Sequence, residues 1–197
     1  SEAIELVRRG IDSASVSREE RDALRVSLSS ILVRVSNQES DVRYAAVQKG
    51  VKPEDVLDLF ERGVIELSNR IRSSLQVPLF KELQPSRATV IQQDARTLKG
   101  NLPDWNVGLI VTSPPYPNAY EYWLYHKYRM YWLGMDPLFV KAREIGARPH
   151  FFKKNHQTEL DFQAQMERCF LLLSQVMNRG AKACFLVGRS IIHGRHI

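Results

Sequence analysis

The stretch NVGLIVTSPPYPNAYEYW, residues 106–123, sets a run of apolar and β-branched residues against a turn with three prolines and, from Thr112 on, four aromatic rings. The run 106–112 has the composition of a strand buried on both faces, as parallel strands are. Pro114 and Pro115 each fix φ near about −65° and lack an N–H, so the strand stops at Ser113 and the turn after it keeps unpaired carbonyls. A carbonyl held in this way is a preset acceptor. Ser113 adds a hydroxyl beside it, and Tyr116 a flat ring that can stack on another. Two acceptors and an aromatic plate at the carboxyl end of a strand form a socket for a planar molecule with an exocyclic amino group. A base swung out of a nucleic-acid helix is such a molecule.

The amino nitrogen of cytosine or adenine is a poor nucleophile because its lone pair is delocalised into the ring. Held by the Ser113 hydroxyl on one hydrogen and the Pro114 carbonyl on the other, the nitrogen pyramidalises and its lone pair becomes available to an electrophilic methyl group. That chemistry relies on positioning and charge redistribution and needs neither metal nor covalent enzyme intermediate. The plain structural alternative is a polyproline turn, either an ordinary strand-to-helix connection or a ligand for an aromatic groove. A buried strand directly before the turn argues against the groove ligand, which is normally displayed on an extended, unpaired segment.

Working outward, ATVIQQD (88–94) reads as a short strand ending at Asp94, and AKACFLVG (181–188) as another buried strand. Between them TELDFQAQMERCFLLLSQVMNRG (158–180) has the period of an amphipathic helix, capped by Thr158 and Asp161 and closed by Gly180. Strands separated by helical stretches predict a parallel α/β sheet with functional residues at the carboxyl ends of its strands, where Asp94 and Ser113 both fall. Residues 1–77 read differently. SREERDALRVSLSSILVRVS (17–36) opens with a Ser17/Glu20 capping box and carries Leu24, Leu28, Ile31 and Val35 at helical spacing. KPEDVLDLF (52–60) starts a second helix with Pro53 at its first position, its apolar row running through Val56, Phe60, Val64, Leu67, Ile71 and Leu75. Between the two, SNQESDVRYA (36–45) reads as a solvated helix end or loop. The prolines of VPLFKELQPSR (77–87) mark a linker, so a helical segment over 1–77 and a catalytic α/β domain over 78–197 are expected.

TSPPY after an apolar strand resembles the catalytic motif of the amino-methylating DNA methyltransferases, which use S-adenosylmethionine to methylate cytosine N4 or adenine N6. The longer patterns RVSNQESDVRYA, VIQQDARTLKGNLPDWNVGLIVTSPPY, SPPYPNAYEYWLYHKYRMYWLG and VGRSIIHGR are similar to a bacterial subgroup of DNA modification methylases, across about residues 18–195. The resemblance implies a partial Rossmann-like methyltransferase sheet behind the N-terminal helices. It implies Ser113, Pro114, Pro115 and Tyr116 as the catalytic turn around a flipped DNA base, Asp94 as the ligand of the cofactor adenine, and no metal. Serine at the first motif position implies cytosine N4; adenine N6, an RNA base, a glutamine side chain, or a non-catalytic DNA-binding or scaffolding subunit of a split enzyme are the alternatives. A restriction-modification role follows from the same analogy. The sequence departs from the family in one respect: none of its ten glycines forms the Gly-x-Gly of the cofactor-binding turn. A segment or second chain carrying that glycine-rich loop is therefore expected.

Six of the seven tyrosines lie between Tyr116 and Trp132. A helix from about Asn118 to Trp132 would turn Tyr120, Trp123 and Tyr131 inward and set Tyr122, Tyr125 and His126 around the pocket, with packing the main work of these rings. VKAREIGARPHFFKKNHQ (140–157) gathers Lys141, Arg143, Arg148, Lys153 and Lys154 with His150 and His156, either a phosphate-tracking loop or a solvated basic surface. A net charge of +6 and a pI near 9.4 suit a polyanionic partner. Cys169 and Cys184 form no ligand or disulfide spacing and are expected as core thiols. With no apolar run of spanning length and no leader pattern, a cytoplasmic protein with no membrane partner is the expectation.

Overall fold

A computed structural model describes residues 2–41, 43, 45–77, 88–98, 106–118, 120–152, 156–192 and 194–196. The chain divides into two units, one formed by residues 1–89 with 124–137, the other by 90–123 with 138–197. The boundary expected between residues 77 and 78 falls at the edge of 78–87, outside the described residues. The return of 124–137 to the helical unit is not foreseen from composition.

The helical unit is built on α1 (Glu2–Ser13), α2 (Arg18–Val35) and α3 (Pro53–Ser74). In α1, Ala3, Ile4, Val7 and Ile11 recur at helical spacing and are buried, while Glu5 on the outer side is held by Arg8 and Arg9. Those guanidinium hydrogen bonds, Arg8 first, hold the Glu5 carboxyl down at about 2. The Ser17/Glu20 capping box forms as expected, Glu20 N–H donating to Ser17 Oγ at 3.2 Å and Ser17 N–H to the Glu20 carboxylate at 2.8 Å. Arg21 then reaches back to the carbonyls of Ile11, Asp12 and Ala14 at 2.6, 2.6 and 2.9 Å, so one side chain satisfies the open C-terminal end of α1. Leu28, Ile31, Leu32 and Val35 of α2 close the core with Val56 of α3. The second half of the α3 row does not join it, and Ile71 and Leu75 are exposed. Glu20, Ala23 and Leu24 of α2 face Val64, Leu67 and Ile71 of α3 across an open groove of about 490 Å³.

Residues 36–47 are irregular and mostly exposed or half-exposed where described, as expected of a solvated loop, with Gln38 as the exception. An isolated antiparallel bridge joins Gln38 to Ala46, and Gln38 is only 1% exposed. The Gln38 amide donates to Ser40 O at 2.7 Å and to Tyr125 O at 3.1 Å, which is how 124–137 is tied into this unit. Arg129 adds a hydrogen bond to Ser29 O at 3.1 Å and an ion pair with Asp41, and Trp132 packs against the helical core. The expected single helix over 118–132 is replaced by α4 (Tyr122–Tyr125) and α5 (Lys127–Trp132). Asn118 sits at φ +59°, which no helix contains, and the chain breaks again at His126.

In the second unit, β1 (Val107–Thr112) pairs in parallel with β2 (Met177–Phe185), and the ladder continues through Leu186 N–H to Thr112 O at 2.9 Å. Helices α6 (Pro137–Arg143) and α7 (Glu159–Val176) precede β2. The Thr158/Asp161 capping box is present. The helix ends at Val176, and Gly180, expected as its cap, lies at φ +82° where the β1–β2 register shifts. A two-residue pair, β3 (Ile191–Ile192) with β4 (Arg195–His196), follows. The strand expected at 88–94 does not form. No described strand runs beside that segment, and Val90 is 92% exposed. Composition favours a strand, but only pairing makes one. Leu109 and Val111 of β1 are 61% and 71% exposed, and Cys184 on β2 is likewise exposed although Cys169 is buried as expected. Among the described residues, no helix is long and apolar enough to cross a membrane, and no group of three or more His, Cys, Asp or Glu is placed to hold a metal ion.

These packing assignments predict that Leu32→Ala, at a fully buried position, costs about 2–5 kcal/mol, whereas Leu75→Ala stays within about 0.5 kcal/mol. Denaturant titration of the two variants followed by circular dichroism checks it, and equal losses would show that the α3 row is packed after all.

Candidate functional site

The turn after β1 cannot hold itself together, because Pro114, Pro115 and Pro117 donate no backbone hydrogen bonds. The chain after β2 holds it instead. Tyr116 Oη donates to Leu186 O at 3.1 Å, Asn118 Nδ2 to Ile191 O at 2.7 Å, and the buried Ser190 hydroxyl to Pro117 O. From the other side, Asn118 N–H donates to Gly146 O at 2.9 Å. Gly146 has φ +75°, and a Cβ there would stand 3.2 Å from both Pro117 Cα and Tyr116 O and 3.3 Å from the Phe162 ring. Only glycine meets both conditions without a shift.

Three of the four residues expected in the catalytic turn line one cleft. Pro114, Pro115 and Tyr116 form one wall, Phe162, Met166 and Phe170 of α7 the other, and Val187 and Gly188 lie between, enclosing about 600 Å³. Glu159, Gln163 and Ser190 supply its polar atoms. The Tyr116 ring rests on Gly188, where a Cβ would lie 3.5 Å from Cζ. Ser113 is exposed and is joined to this wall through its hydroxyl, 3.1 Å from Tyr116 Oη. Among the described residues no hydrogen bond ends on the Pro114 carbonyl, so the second expected acceptor is open.

Asp94, which the resemblance implies as the ligand of the cofactor adenine, is paired with Arg96. Arg96 grips both of its carboxylate oxygens, with Nε at 2.9 Å from Oδ1 and Nη2 at 2.6 Å from Oδ2, and its backbone N–H adds a third bond at 3.0 Å. The same guanidinium donates to Arg143 O and to Gln165 of α7, so the pair fastens residues 94–96 to two helices. The Arg96 hydrogen bonds hold the Asp94 carboxyl below its ordinary range despite partial burial.

The rings expected around the pocket are dispersed. Trp123 is buried as expected, but Tyr120 and Tyr131, expected inward, are exposed, Tyr120 with its ring tilted at 5.7 Å from that of Tyr122, while Tyr125 and His126 belong to the helical unit. Sequence reasoning missed Glu144, whose half-buried carboxylate accepts the N–H groups of Tyr122 and Trp123 at 2.7 and 3.1 Å and so caps α4. Burial pushes its pKa up in spite of those two bonds. Its only signal was an acid two residues before a glycine in EIGAR. In the basic stretch, Lys141 lies 4.4 Å over Trp123, Arg143 3.6 Å over Phe139 and Arg148 5.7 Å over Phe152. These cations are stacked on rings, and His150 bonds Lys141 O. Lys153 and Lys154 lie outside the described residues.

Two outcomes are expected from this geometry. Gly146→Ala destabilises the second unit by about 1–3 kcal/mol through its left-handed φ and three close approaches, measurable as a lower denaturation midpoint. The Asp94–Arg96 pair, its acid depressed, contributes stability above the ordinary Asp range that is lost as pH falls through the lowered pKa. NMR titration of Asp94 should show a midpoint below the ordinary Asp range that rises in Arg96→Ala; an unmoved midpoint would contradict the pairing. Comparison of the chain with models of protein families, with curated proteins and with solved structures finds no match.

Proposed function

We propose that this chain carries the acceptor side of an S-adenosylmethionine-dependent DNA methyltransferase acting on an exocyclic amino group, cytosine N4 in the first place. The observation that carries the reading is the locked turn 113–118 beside an aromatic-walled cleft at the carboxyl end of a parallel strand. A rigid pair of acceptors at Ser113 Oγ and Pro114 O suits an NH₂ group with two hydrogens to give, and flat apolar walls suit the base that bears it. Binding the amine through both hydrogens draws its lone pair out of conjugation, and the fixed turn presents that pair in one direction. The catalytic residues in this reading are Ser113 and Pro114, with Tyr116 and Pro115 shaping the socket.

S-adenosylmethionine supplies the electrophilic methyl group. In this reading Asp94 is the described residue that would meet the cofactor, at its adenine. The Asp94 carboxylate is engaged by Arg96, and the sequence has no Gly-x-Gly turn. In this proposal the larger Rossmann-like sheet and the glycine-rich loop come from a further segment or a second chain. The bare apolar residues Leu109 and Val111 on β1 agree with that, since parallel strands are normally covered on both faces. A restriction-modification setting and a cytoplasmic location belong to the same reading.

The test is methyl transfer from labelled S-adenosylmethionine to DNA, RNA and protein, with any co-purifying chain retained. Label in DNA at cytosine N4 is expected. Ser113→Ala should lower kcat on the order of 10²-fold with cofactor affinity unchanged. Label confined to RNA or protein would move the reaction to another amine, and no transfer with no cofactor binding would leave a non-catalytic subunit.

A further inference from the structure

We propose that the Tyr116 hydroxyl is a positioning group that fixes Ser113 as a hydrogen-bond acceptor, so that the site selects donors such as an amine and rejects a carbonyl in the same place. This rests on the acceptor role given to Ser113 above and adds the device that imposes it.

The argument is one of counting protons. Tyr116 Oη stands 3.1 Å from Leu186 O and 3.1 Å from Ser113 Oγ. A carbonyl only accepts, and a phenol has a single proton, so that proton is committed to Leu186 O. The contact between the two hydroxyls then has one polarity, with Ser113 O–H donating to Tyr116 Oη. A serine hydroxyl normally rotates and donates or accepts as its partner requires. Here its proton is already used, and what it offers a ligand is lone pairs.

The direction is set by backbone. Leu186 O is placed by the ladder bond from Leu186 N–H to Thr112 O at 2.9 Å, and the Tyr116 ring is set against Gly188. Cytosine N4 or adenine N6 meets Ser113 as a donor. The O4 of uracil or thymine, or the O6 of guanine, meets it as a second acceptor with nothing between them, which is a repulsive contact. Selection among bases thus comes partly from hydrogen-bond polarity, beyond the shape of the cleft.

The device is tested by binding. Fluorescence anisotropy with single-stranded deoxycytidine and deoxyuridine 12-mers is read for the wild-type protein, Tyr116→Phe, Ser113→Ala and the double variant, alongside thermal melts. Phenylalanine keeps the ring on Gly188, and Leu186 is exposed, so water can replace the lost donor and the variant should fold. The wild-type protein is expected to favour deoxycytidine by about tenfold, the weight of one hydrogen bond. Tyr116→Phe should reduce that ratio to about twofold or less, because Ser113 is then free to donate to a carbonyl. In the Ser113→Ala background the same change should do nothing further. A ratio unchanged in Tyr116→Phe, or additive losses in the double variant, would overturn the inference while leaving methyl transfer to cytosine intact. If the wild-type protein transfers label to DNA but shows no preference, the device is likewise absent. Binding neither oligonucleotide and transferring no label would instead fail the function proposed above, and this inference with it.

Discussion

The second unit depends on one constraint: a turn that cannot bond to itself has to be held by its neighbour. Three prolines in five residues remove the donors that would close the turn between Ser113 and Asn118. The chain after β2 takes over that task at Leu186, Ser190 and Ile191, each bond made to a different residue of the turn. Parallel pairing puts the two carboxyl ends side by side, so the partners are in reach as soon as the ladder forms. Gly146 closes the other side by having no side chain to intrude. Stiffness here is a product of both strands.

Local signals were legible in the sequence, and long-range ones were not. The boxes at Ser17/Glu20 and Thr158/Asp161 and the proline opening α3 each involve residues within one helical turn, and each forms as read. The strand 107–112 and its parallel partner were also readable as strands but not as buried ones, since both are largely exposed, and β2 begins four residues earlier than its apolar run, where the register shift around Gly180 admits Met177 to the ladder. By contrast, residues 88–94 have the composition of a strand and lack the partner. Gln38 is polar, yet buried, and its amide donates to one carbonyl two residues along the chain, at Ser40, and to another 87 residues along it, at Tyr125. No window of sequence around Gln38 contains Tyr125. At the site, the rigidity of 113–118 could be argued from proline chemistry, whereas its clamps at Leu186 and Ser190 needed coordinates.

Charge behaves in the same way. A net +6 describes the formula of the chain, while the structure commits many of its cations to neighbours. Arg96 and Arg129 face carboxylates, Arg21 faces carbonyls, and Lys141, Arg143 and Arg148 lie over rings. A guanidinium stacked on a ring still turns its N–H edge outward, so such groups remain able to meet phosphate. Asp94 is likewise engaged, its carboxylate held by Arg96 through both oxygens.

The clamps also impose an order on the chain's birth. Tyr116 and Leu186 are 70 residues apart, so at about 5–20 residues per second the turn waits roughly 4–14 s on the ribosome before its partner is made. The helical unit, whose last piece is residues 124–137, can close within that interval. Until Leu186 emerges, the edge of β1 that β2 will occupy is not fully paired and is open to any other strand, a window in which a nascent chain is exposed to mispairing or to capture by a chaperone.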